Sequence, residues 1–397
     1  MEPANWTNLS QCAFANDFSS TRFTLILCAS AVAAVGVVFN SLLTFLFVRR
    51  IQEPNLAVLA VLDLILCFCY VSLFGGEAVA HYLKIHFAYQ LLFFVSVPGF
   101  FVSKTVQFSI PVMLILTLMQ RWSWLSGKTR GSWRFLHSKY GRLILSIAVV
   151  GFATAIRVPT YFAIAVVTYD CPNKFLQNDI LMTDLAYSAW YHWYDLSLTC
   201  VQVFGFFLLL CFLNVAIVYR LKMQRDRRLD TLNRVNMLLL DSKGKVERLI
   251  SQVSVTLTED LEVVAANQNS AIYTMAIIVT TYLVCNSLHV ILTVMEKWMY
   301  DWLETEEGVW SNSYLFAVDF VNFLFMFCSV IRLLIHWKFN LTFRRKLKLL
   351  FVGDSKSESS SFEEVVRKST KLAGRQSEGL PMVMLRKSGH ILTEINN

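Results

Sequence analysis

Charged residues, proline and glycine are all scarce in this chain. Of its 397 residues only 16% are charged, against about 25% in an ordinary soluble protein, and it has seven prolines and fifteen glycines. The low proline and glycine content excludes a collagen-like or broadly disordered chain. The low charge, together with 55% apolar residues, excludes a water-soluble protein.

Motifs of catalysis and metal binding are also missing. The seven histidines never take the spacing that two metal ligands on one helix face require, and the chain has neither a glycine-rich phosphate loop nor a GxSxG nucleophile turn. No pair of matching spans interrupted by glycine and proline indicates a transporter repeat. We therefore expect a protein that is not an enzyme and that holds no metal and no cofactor.

Long apolar runs account for the excess of hydrophobic residues. A helix that crosses a bilayer needs about 20 mostly apolar residues, and the short alternating segments of a membrane barrel are absent here. The sequence therefore predicts an all-α membrane protein, a seven-transmembrane helix bundle within residues 22–337. Its spans 1 to 7 are predicted at about 23–48, 56–80, 91–119, 143–167, 194–219, 271–295 and 313–337.

Basic residues are concentrated in the loops that follow spans 1, 3 and 5. Because cytoplasmic loops are enriched in lysine and arginine, this asymmetry places the N-terminus outside and the C-terminus in the cytoplasm. The formal net charge of +8 is then explained by basic residues on the cytoplasmic face, and we expect no nucleic-acid partner. Two glycosylation sequons begin at Asn5 and Asn8, in a segment 1–21 predicted to be extracellular. We expect a multi-pass protein of the plasma membrane.

Two of the nine cysteines fall in segments predicted to lie outside. Cys12 is in the N-terminal segment and Cys171 is in the loop between spans 4 and 5, where an oxidising compartment permits a disulfide. The other seven lie within spans, where cysteine behaves as a small apolar residue. We expect Cys12 and Cys171 to pair, and the alternative is two free thiols.

The predicted cytoplasmic segments differ in character. The charged loop 222–270 is expected to extend span 5 as a helix and then to become irregular. Residues 338–352 alternate basic and apolar residues at helical spacing, which predicts a short amphipathic helix on the membrane surface. The tail 353–397 is polar, so we expect it to be disordered. Its serines are either phosphorylation sites or part of a solvated linker: Ser359, Ser360 and Ser361.

Polar and charged side chains within the spans are costly in a bilayer and are candidates for function. Asp63 in span 2 and Asp319 in span 7 are expected to form an intramembrane network with Asn40 and Asn322, because a bundle interior satisfies such groups by mutual pairing. Hydrogen bonds that merely hold the helices together explain the asparagines equally well. Three further charges lie within spans: Lys104, Arg157 and Arg332.

Several spans carry patterns that resemble the rhodopsin-like (class A) G-protein-coupled receptors. Span 1 has the segment from Gly36 to Asn40, and span 2 has Leu59-Ala60-Val61-Leu62-Asp63. At the inner end of span 3, Gln120-Arg121-Trp122 is similar to the acid–arginine–aromatic motif of that family. The resemblance implies that Arg121 engages a heterotrimeric G protein on activation. Gln120 stands where the family has the acid that restrains this arginine.

More specific patterns resemble the FMRFamide-type neuropeptide receptors and their divergent nematode relatives. Span 4 ends in Pro159-Thr160-Tyr161-Phe162, span 6 contains Cys285-Asn286, and span 7 contains Asp319-Phe320-Val321-Asn322. The resemblance covers about residues 22–351. Two departures stand out: Ser96 replaces the cysteine expected in span 3, and Arg332 begins the segment in which the family carries its asparagine–proline–x–x–tyrosine motif.

The resemblance also bears on the ligand. Ser103 occupies the position at which amine receptors have an aspartate, and span 7 has no lysine for a retinal Schiff base. Acidic residues outnumber basic ones on the predicted outer face, and a field of that sign attracts a cationic peptide. The residues expected to line the ligand pocket are Ser103, Lys104, Asn286, His289, Glu296, Trp190 and Trp193.

Together these features predict a G-protein-coupled receptor for an extracellular peptide ligand, an amidated neuropeptide. The partners that the resemblance implies are a heterotrimeric G protein, and arrestin and kinases at the tail. Two alternatives remain open. One is a chemosensory receptor for a small molecule, and the other is a membrane transporter or scaffold that does not signal.

Overall fold

The computed structural model describes residues 20–125, 135, 138–168, 178–241, 247–298 and 312–352. It contains seven helices that are long and apolar enough to cross a membrane, which confirms the predicted number of spans and a multi-pass helical membrane protein. Spans 1 to 7 are Arg22–Ile51, Pro54–Ala80, His86–Ser123, Lys139–Phe162, Ala189–Gln224, Ser270–Glu296 and Tyr314–Phe339.

Three of the spans change helix type along their length. A π-helical turn at Phe47–Ile51 ends span 1, and two more interrupt spans 2 and 5 at Val71–Gly75 and Val201–Gly205. The α-helices are Ser20–Leu46, Pro54–Tyr70, Gly76–Leu83, His86–Leu125, Lys139–Phe162, Asp184–Tyr187, Ala189–Cys200, Phe206–Asp241, Glu247–Trp298, Asn312–Phe339 and Leu341–Val352.

A β-hairpin between spans 4 and 5 departs from the all-α prediction. Strand β1, Ile164–Thr168, pairs antiparallel with strand β2, Asn178–Met182. The prediction that span 4 continues to residue 167 is therefore wrong, since its helix ends at Phe162. The apolar run continues past that point, but it is rich in β-branched residues, and a short apolar run does not by itself distinguish helix from strand. We call this end of the bundle the hairpin end.

The helices of spans 5 and 6 run well beyond their apolar parts. Span 5 continues as helix to Asp241, and the helix of span 6 begins at Glu247. The irregular structure expected within 222–270 is therefore absent from the described residues of that segment. Its leucine, arginine, lysine and glutamine residues favour helix, and their propensity adds up over many residues although it is weak at each.

A helix follows span 7 at Leu341–Val352. Its start is capped by Asn340, whose Oδ1 accepts a hydrogen bond from the backbone N–H of Phe343 at 3.0 Å. The ring of Phe343 is fully buried between Phe47 and His336, with ring centroids 6.0 Å and 5.6 Å away. The placement of this helix on a membrane surface stays a prediction.

Small residues bring span 1 close to spans 2 and 7. The buried cluster contains Ala29, Ala33, Cys67, Tyr70, Met326 and Val330. Gly36 lies at the closest approach, since a Cβ atom added there would be 2.7 Å from both the Cys67 Sγ and the Val330 Cγ2. Helices in membranes pack through such small residues because no hydrophobic effect drives them together.

Several predicted sites lie outside the described residues. These are the glycosylation sites Asn5 and Asn8, the proposed disulfide partners Cys12 and Cys171, and the serines Ser359, Ser360 and Ser361. All seven cysteines in the described ranges are free thiols.

Candidate functional site

A cavity with two chambers opens among the helices at the hairpin end. The first chamber, of about 530 Å³, lies between spans 2, 3, 6 and 7, and the second, of about 460 Å³, lies between spans 3, 4, 5 and 6. Lys104, His289 and Glu296 line both chambers, so the two adjoin. Each is within the range of 300–1,000 Å³ typical of ligand sites. We refer to them together as the hairpin-end cavity.

The β-hairpin forms part of the cavity wall. Ile164 of β1 and Ile180 of β2 line the first chamber. The hairpin is held in place by the Tyr89 hydroxyl of span 3, which donates a hydrogen bond to the Asn178 carbonyl oxygen at 3.0 Å. On the other side, the Thr183 hydroxyl donates to the Phe162 carbonyl oxygen at the end of span 4.

An arginine on span 4 supplies one positive charge to the second chamber. Arg157 is 4% exposed, and its guanidinium donates a short hydrogen bond to the Gln202 side chain. It also lies 4.0 Å from the Asp195 carboxylate and 5.5 Å from the centroid of the Phe108 ring. These three contacts, made by residues of spans 3 and 5, stabilise a charge that would otherwise be costly in the interior of the bundle.

A lysine on span 3 supplies the second positive charge. Lys104 lines both chambers, and its Nζ lies 5.2 Å from the centroid of the Phe100 ring. Among the residues that the structure describes, no carboxylate lies within 4 Å of this ammonium group. The neighbouring Ser103 also lines the first chamber, and its hydroxyl accepts a hydrogen bond from the Gln107 amide at 3.3 Å.

Span 6 contributes an acid and a histidine to the same cavity. The Glu296 carboxylate accepts a hydrogen bond from the Tyr314 hydroxyl at 2.8 Å, and Glu77 of span 2 lines the first chamber opposite it. His289 lies one helical turn deeper than Thr293 and lines both chambers. Asn286 lines a recess that adjoins them, and its amide donates to the Tyr282 carbonyl oxygen of its own helix.

Five of the seven predicted pocket residues therefore line the cavity or its recess, and two do not. Trp190 and Trp193 are 59% and 65% exposed and line neither chamber as the described residues form them. Tyr191 and Asp195 of the same helix line the second chamber instead. The helical repeat places the two tryptophans on the outward face, away from the chamber that Tyr191 and Asp195 line.

The predicted polar network forms only in part. Asp63 of span 2 is fully buried and accepts a hydrogen bond from the Ser329 hydroxyl at 2.7 Å and a short one from the Arg332 guanidinium, both on span 7. Asn40 of span 1 donates to the Ser329 carbonyl oxygen at 3.4 Å. A buried ion pair thus joins spans 2 and 7, and Asn40 ties span 1 to the same turn.

Asp319 does not join this network, contrary to the prediction. It is 13 residues from Arg332 on one helix, or about 20 Å along the axis. Its carboxylate instead accepts a hydrogen bond at 2.8 Å from the Nε of Arg22, at the start of span 1. Asn322 lies between the two and lines the hairpin-end cavity.

A second polar cluster lies at the opposite end of the bundle. The Asn55 amide of span 2 donates to Gln120 Oε1 of span 3 at 2.9 Å, and the Ser146 hydroxyl of span 4 donates to Asn55 Oδ1 at 3.0 Å. Beside it, Arg142 forms a short ion pair with Glu53. Arg121 is buried at this end, 7% exposed. Gln120 thus joins span 3 to Asn55 of span 2, and Asn55 in turn joins span 4, through hydrogen bonds between neutral groups.

The sequence indicates the charges but not their partners. It shows Arg332 as an intramembrane charge without matching it to Asp63, and it gives no sign of the role of Asn55. One signal was available for the first pair: two opposite charges at bilayer depth satisfy each other when both helices turn inward. Asn55 lies in the first turn after Pro54, where a polar residue usually needs no explanation.

No protein-family model matches the chain, and no curated protein matches it.

Proposed function

We propose that the chain is a plasma-membrane receptor that binds an extracellular ligand in the hairpin-end cavity and activates a heterotrimeric G protein at the opposite end. The observation that supports it is the layout of span 3. Lys104 lines the cavity, and Arg121, which the resemblance marks as the contact for the G protein, lies 17 residues further along the same helix. That separation is about 26 Å, most of the thickness of a bilayer.

The distribution of charge supports the orientation in this proposal. Arg49 and Arg50 at the end of span 1, and Arg142 at the start of span 4, lie at the end of the bundle away from the hairpin. The excess of basic residues in cytoplasmic loops then directs the hairpin end and its cavity to the outside.

An amidated neuropeptide is the ligand class that we propose. Glu77, Glu296 and Asp195 give the cavity three carboxylates that a basic peptide side chain can contact. Phe74 and Phe100 in the first chamber supply rings on which its aromatic side chains can pack. Acidic residues outnumber basic ones in the sequence segments predicted to lie outside, and a field of that sign attracts a cationic peptide.

Activation is proposed as a shift between two arrangements of the bundle. Gln120, Asn55 and Ser146 hold spans 2, 3 and 4 together beside Arg121 through two hydrogen bonds. A ligand that binds better to an arrangement in which this cluster is open would expose the arginine to the G protein. Arrestin and kinases would then act at the serines of the tail.

The test is a signalling screen. Cells expressing the full chain with a promiscuous G protein are challenged with a library of amidated peptides, and second-messenger release is recorded. We expect at least one peptide to give a response that Arg121→Ala abolishes at equal surface expression. Arg50→Ala, which removes an exposed arginine at the same end, is the control and should respond as the wild type does.

A chemosensory receptor for a small molecule is the second candidate, and the size of the first chamber favours it because one small ligand fills such a volume. Responses confined to small organic compounds would select this candidate. A peptide response of equal size in wild type and Arg121→Ala would contradict signalling through the proposed arginine. Transport or a scaffold role would then be the remaining alternative.

A further inference from the structure

The charges in the hairpin-end cavity are unequally satisfied. Arg157 has Asp195 at 4.0 Å and a hydrogen bond to Gln202, and Glu296 accepts a hydrogen bond from Tyr314. Among the described residues no carboxylate lies within 4 Å of the Lys104 ammonium nitrogen, although Asp195 and Glu296 line the same cavity, and the face of the Phe100 ring lies 5.2 Å away. Lys104 is therefore the cation of this cavity that has no carboxylate in direct contact among the described residues.

An unpaired ammonium group within a helix bundle is costly, because the bilayer and the packed helices replace the water that would solvate it. A ring face recovers a part of that cost only. Charged groups in such positions are paired or belong to a binding or transport path. Because Lys104 faces an open chamber, a bound anion can supply the missing partner.

The residues around Lys104 indicate which chemical class of anion could bind beside it. Phe74, Val97, Leu292 and Val321 make most of the exposed wall of the first chamber apolar, Phe100 lies beside the lysine, and the acids Glu77 and Glu296 line the rest. An ammonium group is a compact single charge, and the guanidinium of Arg157 is already engaged by span 5, so the free charge is one. A carboxylate, with one negative charge and an apolar body, matches both features better than a phosphate does.

We propose that Lys104 binds a carboxylate of the ligand, the rest of which lies against the apolar wall of the first chamber. This inference rests on the proposed receptor function and names one chemical group that its ligand carries. The carboxylate can come from an acidic residue of a peptide or from a small organic acid. Ser103 and Gln107, one turn apart on the same face of span 3, add polar groups to that wall.

The test is a binding measurement that needs no G protein. Purified full-length protein in nanodiscs of phosphatidylcholine is titrated with matched pairs of probes, and its thermal unfolding is followed. The first pair is 4-phenylbutyrate and 4-phenylbutyramide. The second is the peptide Phe-Leu-Phe-Asp-amide and the same peptide with asparagine in place of aspartate.

We expect the acid of at least one pair to bind at least about tenfold more tightly than its amide, as a charge-assisted hydrogen bond provides. A preference in the first pair identifies a small acid as the source, and a preference confined to the second identifies a peptide residue. Lys104→Met should abolish the preference. The control Lys84→Met, at an exposed lysine between spans 2 and 3, should retain it.

A charge reversal separates binding from a merely structural role. Lys104→Glu should prefer 4-phenylbutylamine to 4-phenylbutyrate, which a lysine needed only for folding would not produce. Equal binding of acids and amides by the wild type, or absence of acid binding up to about 1 mM, would overturn the proposal. So would a preference that survives in Lys104→Met. Failure of the signalling screen would leave this binding result unchanged, so the two proposals fail separately.

Discussion

The ion pair between Asp63 and Arg332 is the most deeply buried charge pair among the described residues, with exposures of 0% and 3%. Removing two charges from water costs several kcal/mol for each ion, and the attraction between them offsets this only when the remaining hydrogen bonds are also made. Ser329 makes one of these bonds to the carboxylate. The pair therefore depends on both of its members being present.

Replacing one member of the pair should lower the free energy of unfolding much more than replacing both. Asp63→Asn leaves the Arg332 guanidinium buried without a counter-charge, and we expect it to lower the free energy of unfolding by about 3–5 kcal/mol. The double variant Asp63→Asn with Arg332→Gln removes both charges and should recover a large part of that loss. Chemical unfolding of the purified protein in detergent measures the three values. A double variant as unstable as the sum of the two single variants would contradict the coupling.

The sequence was sufficient to identify these two residues but not to pair them. A charge inside an apolar run is visible in the sequence, and both residues were recognised in that way. Their pairing depends on how far each helix is rotated about its axis and on which helices are neighbours across 269 residues of chain. For the same reason Asp319 was assigned to the wrong partner, although Arg22 was present in the same sequence.

At the level of elements, two glycines of the spans have opposite surroundings. Gly36 of span 1 packs against spans 2 and 7 with no room for a Cβ atom, whereas Gly151 of span 4 has no atom within 4 Å of the position a Cβ atom would take. A side chain at the first would push helices apart. At the second it would only reduce the freedom of the unfolded chain and favour the helix.

Alanine substitutions at the two positions should therefore change the stability of the protein in opposite directions. Gly36→Ala is expected to destabilise the protein by about 1–3 kcal/mol, as overpacking of a close contact does. Gly151→Ala is the matched control and should stabilise it by about 0.5–1 kcal/mol. Thermal unfolding of both variants in the same detergent gives the comparison. Equal shifts of the two melting temperatures would show that contact with spans 2 and 7 does not decide the effect.

The elements that the sequence predicts well are those with a long run of apolar residues. Each span carries more than twenty residues of apolar sequence, and such length admits only a helix in a membrane. The hairpin strands have five residues each, too few for periodicity to separate them from the end of span 4. The helix that continues span 5 to Asp241 agrees with the expectation, whereas the segment before span 6 was expected to be irregular and is helical from Glu247.

For the whole molecule, orientation is the property on which the proposed function depends most. The proposal directs the hairpin end and the N-terminus to the outside, where the sequons at Asn5 and Asn8 would be processed. We expect glycosidase treatment of the protein from a eukaryotic host to increase its electrophoretic mobility. The double variant Asn5→Gln with Asn8→Gln should migrate at the deglycosylated position before treatment. A wild type that the enzyme does not shift would remove this support for the orientation.

The candidate site was predictable to the extent that it depends on span 3 and span 6. Ser103, Lys104, His289 and Glu296 were assigned to one pocket from their positions along the helices, and they line one cavity. The tryptophans of span 5 were assigned by residue type, without regard to the helical repeat, and they face outward. The contribution of the hairpin to the wall could not be predicted, because it depends on a strand pairing between segments 10 residues or more apart.

The π-helical turns at Val71–Gly75 and Val201–Gly205 determine how the chain can vary in length. A π turn holds one residue more than an α turn, so the loss of one residue there would leave a continuous α-helix and an intact span. Because the wider turn takes up that extra residue, the residues beyond it would keep nearly the same orientation about the helix axis. Glu77 in span 2, and Tyr191 and Asp195 in span 5, would then stay in the cavity wall. At these two turns a single deletion would preserve both the membrane fold and the lining of the cavity, whereas a deletion within a regular α turn would rotate the residues beyond it by about 100°.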